Sequence, residues 1–398
     1  MKTHLFIYLL LCLAFLGCSK DDFDGIKFST GEEIKLTSEQ QTIGLVVRSG
    51  SEWQIASPPS WCDASRRGDT LVLTAKVNDN TAERSGTVTI VNEDTQVPLT
   101  IIQSGEHYFE LPVVFHVLYT NASNPWENVS AEYIRECMDY VNNFYAGNNG
   151  KSLNMNLSFV LATTDPDGKP LAEPGIHRVQ QSSVLYDIKE YLLHNKYNGT
   201  DLIWNPNDYI NIIVCAFTET GVTGVSMLPF TPQGKPLPGL SRNDAYYTSL
   251  PTKFVQALMI NNKYTYEPEN ILPQGQLPTW YLTLAHELGH YLGLIHVFSG
   301  GENGASTDYC DDTPDYDRPA YEKAIYILRE KRHARNGEEF KSTNIMDYAI
   351  GYRDRFTPDQ RARVRHVLDY SPLIPGPKIE ARGISRSAPV TEEPQIMR

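Results

Sequence analysis

The chain is poor in positive charge, in cysteine and in long apolar runs, and each shortage excludes something. Over 398 residues it carries 35 Lys and Arg against 48 Asp and Glu, a formal net charge of −13. Such a surface offers no basic footprint for a phosphate backbone, which argues against a nucleic-acid partner. Only six cysteines are present, and none has the spacing of a zinc site. A membrane-spanning helix needs about 20 consecutive apolar residues, and no internal stretch approaches that. What is there is a hydrophobic fraction of 41%, enough to bury a core, in a chain long enough to predict two folded domains.

The first residues read as a targeting signal: Lys2, then an apolar run from Leu5 to Leu16 that is too short to cross a bilayer stably. The run ends in Leu13-Ala-Phe-Leu-Gly-Cys18. This resembles the lipobox of bacterial lipoproteins, which implies cleavage after residue 17, lipidation of Cys18 and a membrane anchor. The alternative is an ordinary signal peptide with an incidental cysteine. Ser19-Lys-Asp-Asp22, in a tether over 18–26, is similar to the acidic export tag that sends some lipoproteins of gut anaerobes to the outer cell face. The expected location is therefore the outer membrane, facing the exterior. Beyond Cys12 and Cys18, four cysteines remain at 62, 137, 215 and 310. They allow three complete pairings, or they are simply buried thiols.

Residues 27–105 predict an all-β unit. Short β-branched runs at Ile43–Val47, Leu71–Ala75, Thr87–Val91 and Val97–Ile102 recur between turn signals. Val88 and Ile90 alternate with Thr87 and Thr89, as in a strand with one buried face. Trp53 and Trp61 are candidate core anchors. The module resembles a BACON domain, an immunoglobulin-like sandwich, through Trp53-Gln-Ile, Trp61, Asn78, Arg84-Ser-Gly-Thr-Val-Thr-Ile90 and Ile102-Gln-Ser-Gly105. The resemblance implies attachment to glycan or mucin; a plain spacer is the alternative.

From 106 to 372 the pattern turns to mixed α and β. Pro112–Tyr119, Leu157–Ala162 and Tyr209–Phe217 read as strands. Ser130 caps a helix to about Tyr145, with Ile134, Cys137, Val141 and Phe144 on one face. Pro229–Pro278 reads as long surface loops, and a helix is expected over about 319–333. Thr357-Pro-Asp-Gln360 carries a capping box and a proline in the first turn of a late helix. The Pro-, Gly- and charge-rich segment 373–398 reads as a disordered tail.

The chemistry lies in His286-Glu-Leu-Gly-His290-Tyr-Leu-Gly-Leu-Ile-His296. Histidines four apart stack on one helix face and reach one metal. Gly293 can take a left-handed conformation, end the helix and let His296 swing back as third ligand. Three neutral imidazoles leave zinc its charge and an open position, lowering the pKa of a bound water toward about 7. Glu287, beside them, is the candidate general base. A bare HExxH arises by chance on the order of once in twenty chains of this length; adding the fixed Gly and third His lowers that to roughly one in ten thousand.

This eleven-residue motif matches the zinc signature of the metzincin peptidases. Asn344-Ile-Met346-Asp-Tyr348 is similar to their methionine turn, which implies that Met346 floors the ligands and that Tyr348 stabilises the oxyanion; packing within the turn is the other role open to Tyr348. Pro112-Val-Val-Phe-His-Val117, Asp311-Asp-Thr-Pro314 and Phe356-Thr-Pro-Asp-Gln360 resemble the pappalysin branch in particular. Cysteines that flank the turn elsewhere in that branch are missing here, so no disulfide pattern carries over. The resemblance implies calcium near the acidic cluster after the zinc helix, with Asp308, Asp311 and Asp312 as candidate ligands; a solvated acidic loop is the alternative. His116, alone in an apolar strand, reads as structural. The expected fold is thus an immunoglobulin-like sandwich followed by an α+β metzincin domain with a mixed sheet. The expected function is a zinc endopeptidase acting on protein or peptide substrates. The rival reading is a glycan-binding surface protein whose peptidase domain is only a scaffold.

Overall fold

The computed structural model describes residues 25–38, 40–78, 80–245, 252–265, 280–299, 308–318, 331–348, 351–379 and 391–398. Cys18, the signal segment and residues 319–330 of the expected helix lie outside these. The chain divides into two compact units, one through Tyr108 and one from Phe109 onward.

The first unit is two four-stranded sheets. One orders β1 (Ile26–Phe28), β3 (Gln41–Ser49), β6 (Thr70–Ala75) and β5 (Cys62–Arg67); the other orders β2 (Glu33–Leu36), β8 (Gln96–Gln103), β7 (Arg84–Val91) and β4 (Gln54–Ser57). Alternation decides which face is buried. Leu45 and Val47, Leu71 and Leu73, Val88 and Ile90, and Leu99 and Ile101 point into one core around Trp53. Trp61 packs at the edge of this core, with the Arg84 guanidinium 4.6 Å from its ring centroid.

In the second unit a mixed sheet runs β10 (Leu157–Leu161), β9 (Phe109–Tyr119), β13 (Ile210–Phe217), β15 (Leu258–Asn261), β14 (Gly224–Met227) and β20 (Ile396–Met397). β11 (Ile176–Gln180) extends β9 and β12 (Leu185–Tyr186) extends β13. β9, β10, β11, β12, β13 and β15 pair in parallel, while β14 pairs antiparallel with both β15 and β20. Parallel strands buried on both faces lose their alternation, and β13 is buried along its whole length. α1 (Ala131–Tyr145) is capped by the Ser130 side chain, which accepts from the Tyr133 amide, and buries Ile134, Cys137, Val141 and Phe144 as the spacing predicts. α2 (Ile188–Leu192) covers β13 beside Cys215. α3 (Trp280–Tyr291) lies in the main core with Leu284, Leu288 and Tyr291 fully buried. α4 (Pro358–Tyr370) starts on the predicted capping box, Thr357 with Gln360.

Three sequence expectations fail here. β15 lies inside the segment read as loops. Its four residues are wholly buried between β13 and β14, so they carry neither alternation nor helical spacing. The end of the chain is not a featureless tail either. Leu373 and Ile374 are buried, and Ile396 and Met397 pair with β14 as the outermost strand of the sheet. Two adjacent apolar residues suffice for an edge strand when a preformed sheet supplies the partner. Two-stranded ribbons complete the unit: β16 (Phe298–Ser299) with β17 (Tyr316–Asp317), and β18 (Arg332–His333) with β19 (Glu339–Phe340). Arg332 and His333 are therefore strand, not the end of a helix.

All four cysteines among the described residues are buried free thiols. Burial raises the thiol pKa of each, to about 11 at Cys62 and about 12 at Cys137. That is the inert state of a packing residue, not of a nucleophile.

Candidate metal centre

The zinc-binding candidates are assembled by the way α3 ends. Leu294 N–H donates to Gly289 C=O and Gly293 N–H to His290 C=O, each at 2.9 Å, the double bond of a Schellman stop. Gly293 sits at φ +91°, and a Cβ there would stand 2.6 Å from Val367 of α4. Both the backbone sign and the close helix–helix approach require glycine. The reversal returns His296 to α3.

The three Nε2 atoms then converge: His286 to His290 2.9 Å, and His296 to each of the others 3.1 Å. His286 Nδ1 lies 2.7 Å from the Ile345 carbonyl, and His290 Nδ1 lies 2.8 Å from the Leu294 carbonyl. A carbonyl only accepts, so each Nδ1 carries the proton and each Nε2 is left as a lone pair. Lone pairs facing one another at this spacing repel unless a cation lies between them. They suit zinc, whose nitrogen ligands stand about 2.0–2.1 Å from the metal. Burial lowers the pKa of all three rings, that of His286 to about 4, which keeps them neutral. Among the described residues this is the only group of three or more His, Cys, Asp or Glu whose ligand atoms lie close enough to share an ion.

Glu287 is 2% exposed, and its Oε2 has no hydrogen-bond partner. Burial raises its pKa well above the ordinary range. An unpartnered carboxylate oxygen costs free energy unless the site gives it a task. β14 passes directly over it: a Cβ on Gly224 would lie 2.7 Å from Glu287 Cγ and 2.8 Å from Oε1.

Met346 lies beneath the helix, its sulfur 2.6 Å from where a Cβ on Gly289 would stand. The turn is tied down by Asn344, which accepts from the Met346 amide at 2.9 Å and exchanges two side-chain hydrogen bonds with Gln360, at 2.9 and 3.0 Å. Tyr348 packs edge-on to His296 with ring centroids 4.6 Å apart, and Arg318 lies over its ring. Its hydroxyl donates to the Arg398 carbonyl at 2.7 Å.

The acidic cluster is arranged differently. Asp308 is buried, with its carboxylate oxygens accepting from Thr313 Oγ1 at 2.9 and 2.8 Å; burial raises its pKa to about 6. Asp312 accepts from the Asp359 amide in the first turn of α4, and Asp359 accepts from the Asp311 amide. These carboxylates brace the start of α4 rather than converge. His116 is buried between His177 and Asn211, each 2.9 Å away, a satisfied core histidine.

Asn344, Gln360, Asp347 and Gly224 have roles that spacing does not reveal. Gln360 already belongs to a capping box, and only the tertiary fold shows its second role. Asp347 is fully buried, accepts from Tyr316 Oη at 2.7 Å and pairs with Arg332 and Ser342.

A metal-ready histidine triad on a helix under a mixed sheet, with a methionine turn beneath it, defines a metzincin-type domain. Comparisons agree. Residues 195–369 match the peptidase M43 family model, described as pregnancy-associated plasma protein-A, and residues 51–104 match the BACON model, described as an N-terminal binding domain. Over those residues the chain is thus similar to pappalysin-like metzincin peptidases and, ahead of them in sequence, to BACON domains. An extracellular metalloprotease of Colletotrichum graminicola is 39% identical over 80 residues, 20% of this chain and 28% of that protein. One from Aspergillus oryzae is 26% identical over 262 residues, 64% of this chain and 74% of that protein. The chain spans only 28–34% of the first three relatives it matches. Among solved structures, mature mirolysin of Tannerella forsythia in complex with a cleaved peptide aligns at 22% identity and a TM-score of 0.46, over 66% of this chain and 93% of that one.

Proposed function

We propose that the protein is a zinc-dependent endopeptidase that hydrolyses peptide bonds of extracellular proteins, with His286, His290 and His296 as ligands and Glu287 as general base. The observation that carries this is the convergence of the three histidine Nε2 atoms within 3.1 Å. Zinc, when bound, supplies a Lewis acid that brings the pKa of water toward about 7.

The chain's own residues do the rest. Glu287, dry and otherwise unpartnered at Oε2, takes the proton of the attacking water and passes it to the leaving amine. Tyr348 Oη, already 2.7 Å from a backbone carbonyl oxygen, donates to the substrate carbonyl oxygen as its charge grows. The Ile345 carbonyl holds the His286 ring in its tautomer. Cys18 as a lipid anchor, and a location on the outer cell face, complete the proposal; relatives named extracellular metalloproteases support export. The BACON module serves as a tether or as a glycan- or mucin-binding unit.

The test is hydrolysis of casein by the chain without its signal. Activity abolished by a zinc chelator and restored by zinc is expected. A folded, zinc-loaded protein that cleaves neither casein nor a peptide library would leave the scaffold reading in its place.

A further inference from the structure

β14 passes over Glu287 at Gly224, and this chain's own last described residues lie along the edge of β14 that β15 leaves open. Met397 pairs with Ser226 and Ile396 with Met227, antiparallel. Continued by one residue, that register sets Arg398 opposite Val225. A residue beyond it would fall opposite Gly224, whose Cα lies against Glu287. The peptide thus runs toward the metal ligands, and the carbonyl of Arg398 receives the Tyr348 hydroxyl at 2.7 Å.

The segment is held along its length. Leu228 N–H donates to the Gln395 carbonyl at 2.9 Å and Ser241 Oγ to the Glu393 carbonyl at 2.7 Å. Thr391 bridges to Asn243. The Glu392 carboxylate accepts from the Arg242 guanidinium at 2.6 and 2.9 Å and from its amide at 2.6 Å. Ile396 and Met397 are buried, 8% and 2% exposed. An antiparallel strand added to a sheet edge, with side chains in pockets, is a general mode of peptide recognition.

We propose that residues 395–398 occupy the acyl side of the substrate groove as a substrate-like strand, so that the chain competes in cis with its own substrates. This rests on the proposed peptidase function. The ligand class is an extended peptide with two apolar residues followed by arginine, its last carbonyl at Tyr348. A tethered strand acts at an effective concentration on the order of 1 mM. For a peptide Kd of about 0.1 mM, this lowers kcat/KM roughly tenfold.

The experiment compares four signal-less proteins on a fluorogenic peptide: the parent, a chain lacking residues 391–398, Arg242→Glu, and Arg242→Glu with Glu392→Arg. The deletion and the single charge reversal should raise kcat/KM about tenfold, mainly through KM, and the double reversal should return it toward the parent. The synthetic peptide of residues 391–398 should inhibit the shortened chain competitively, and a scrambled peptide should not. Equal kcat/KM in the parent and both released variants, all folded and zinc-loaded, would overturn the proposal. If no variant hydrolyses anything, the peptidase reading fails separately. Fluorescence anisotropy of the labelled 391–398 peptide on the shortened chain still decides the strand: saturable binding supports it, and no binding at about 1 mM overturns it.

Discussion

Gly224→Ala tests whether Glu287 is held to within an ångström. Gly224 is not in the left-handed region, so alanine fits its backbone and the added methyl is the whole perturbation. That methyl would stand 2.7 Å from Glu287 Cγ, 2.8 Å from Oε1 and 2.9 Å from Thr283 Cγ2. Carbon atoms pack at about 3.5–4.0 Å, so the glutamate must retreat by roughly 1 Å or β14 must lift by as much. Overpacking of this kind costs about 1–3 kcal/mol, partly offset by about 0.5–1 kcal/mol from replacing a strand glycine. The fold should survive with a slightly lowered Tm. A catalytic group misplaced by about 1 Å costs on the order of a hundredfold in rate. The expected result is zinc content equal to the parent, with kcat on a fluorogenic peptide down between tenfold and a hundredfold. Turnover within twofold of the parent in a folded, zinc-loaded variant would refute the claim that β14 positions the base.

Glu287→Gln should keep its zinc, measured by atomic absorption, and lose at least about a hundredfold in turnover, since the base is not a ligand. Tyr348→Phe should lower kcat about tenfold at saturating peptide, where competition from residues 395–398 no longer counts; unchanged kcat would leave Tyr348 a packing residue. Burial holds the pKa of His116 down at about 3, below its unfolded value of about 6.5. The unfolded state therefore binds the extra proton between these values, and stability present above pH 6.5 is lost as pH falls toward 3. The slope is up to about 1.4 kcal/mol per pH unit, and urea titrations should show it flattened in His116→Gln. Cys18→Ala should abolish palmitate labelling and membrane partitioning, and labelling that persists would rule out lipidation there.

The site was legible in the sequence because its signals are local. Histidines four apart define a helix face, Gly293 marks its stop, and both follow from backbone geometry within a dozen residues. The capping box at Thr357 and the cap at Ser130 were readable for the same reason. β15 and β20 were not, because their stability comes from partners far along the chain. Leu258–Asn261 is wedged between β13 and β14, and Ile396–Met397 pairs with residues some 170 positions earlier. The acidic cluster is a different case: the resemblance implies calcium there, and only the fold shows that Asp308 accepts from Thr313 and Asp312 from the Asp359 amide of α4.

The same distinction explains how the three histidines are held. His286 is oriented by the Ile345 carbonyl, so the ring is only as well placed as the methionine turn. That turn is fixed from two directions. On one side Asn344 locks onto Gln360, and Gln360 in turn caps α4, whose Val367 meets Gly293 at the end of α3. On the other side the fully buried Asp347 accepts from Tyr316, Arg332 and Ser342. A buried pair of this kind adds little net stability against an apolar replacement, yet removing one partner strands a charge at a cost of about 3–5 kcal/mol. Asp347 and Arg332 therefore fix one arrangement of the turn rather than strengthen the fold. The long segment between His296 and Met346 contributes to the site by delivering Arg332 and Tyr316 to that carboxylate.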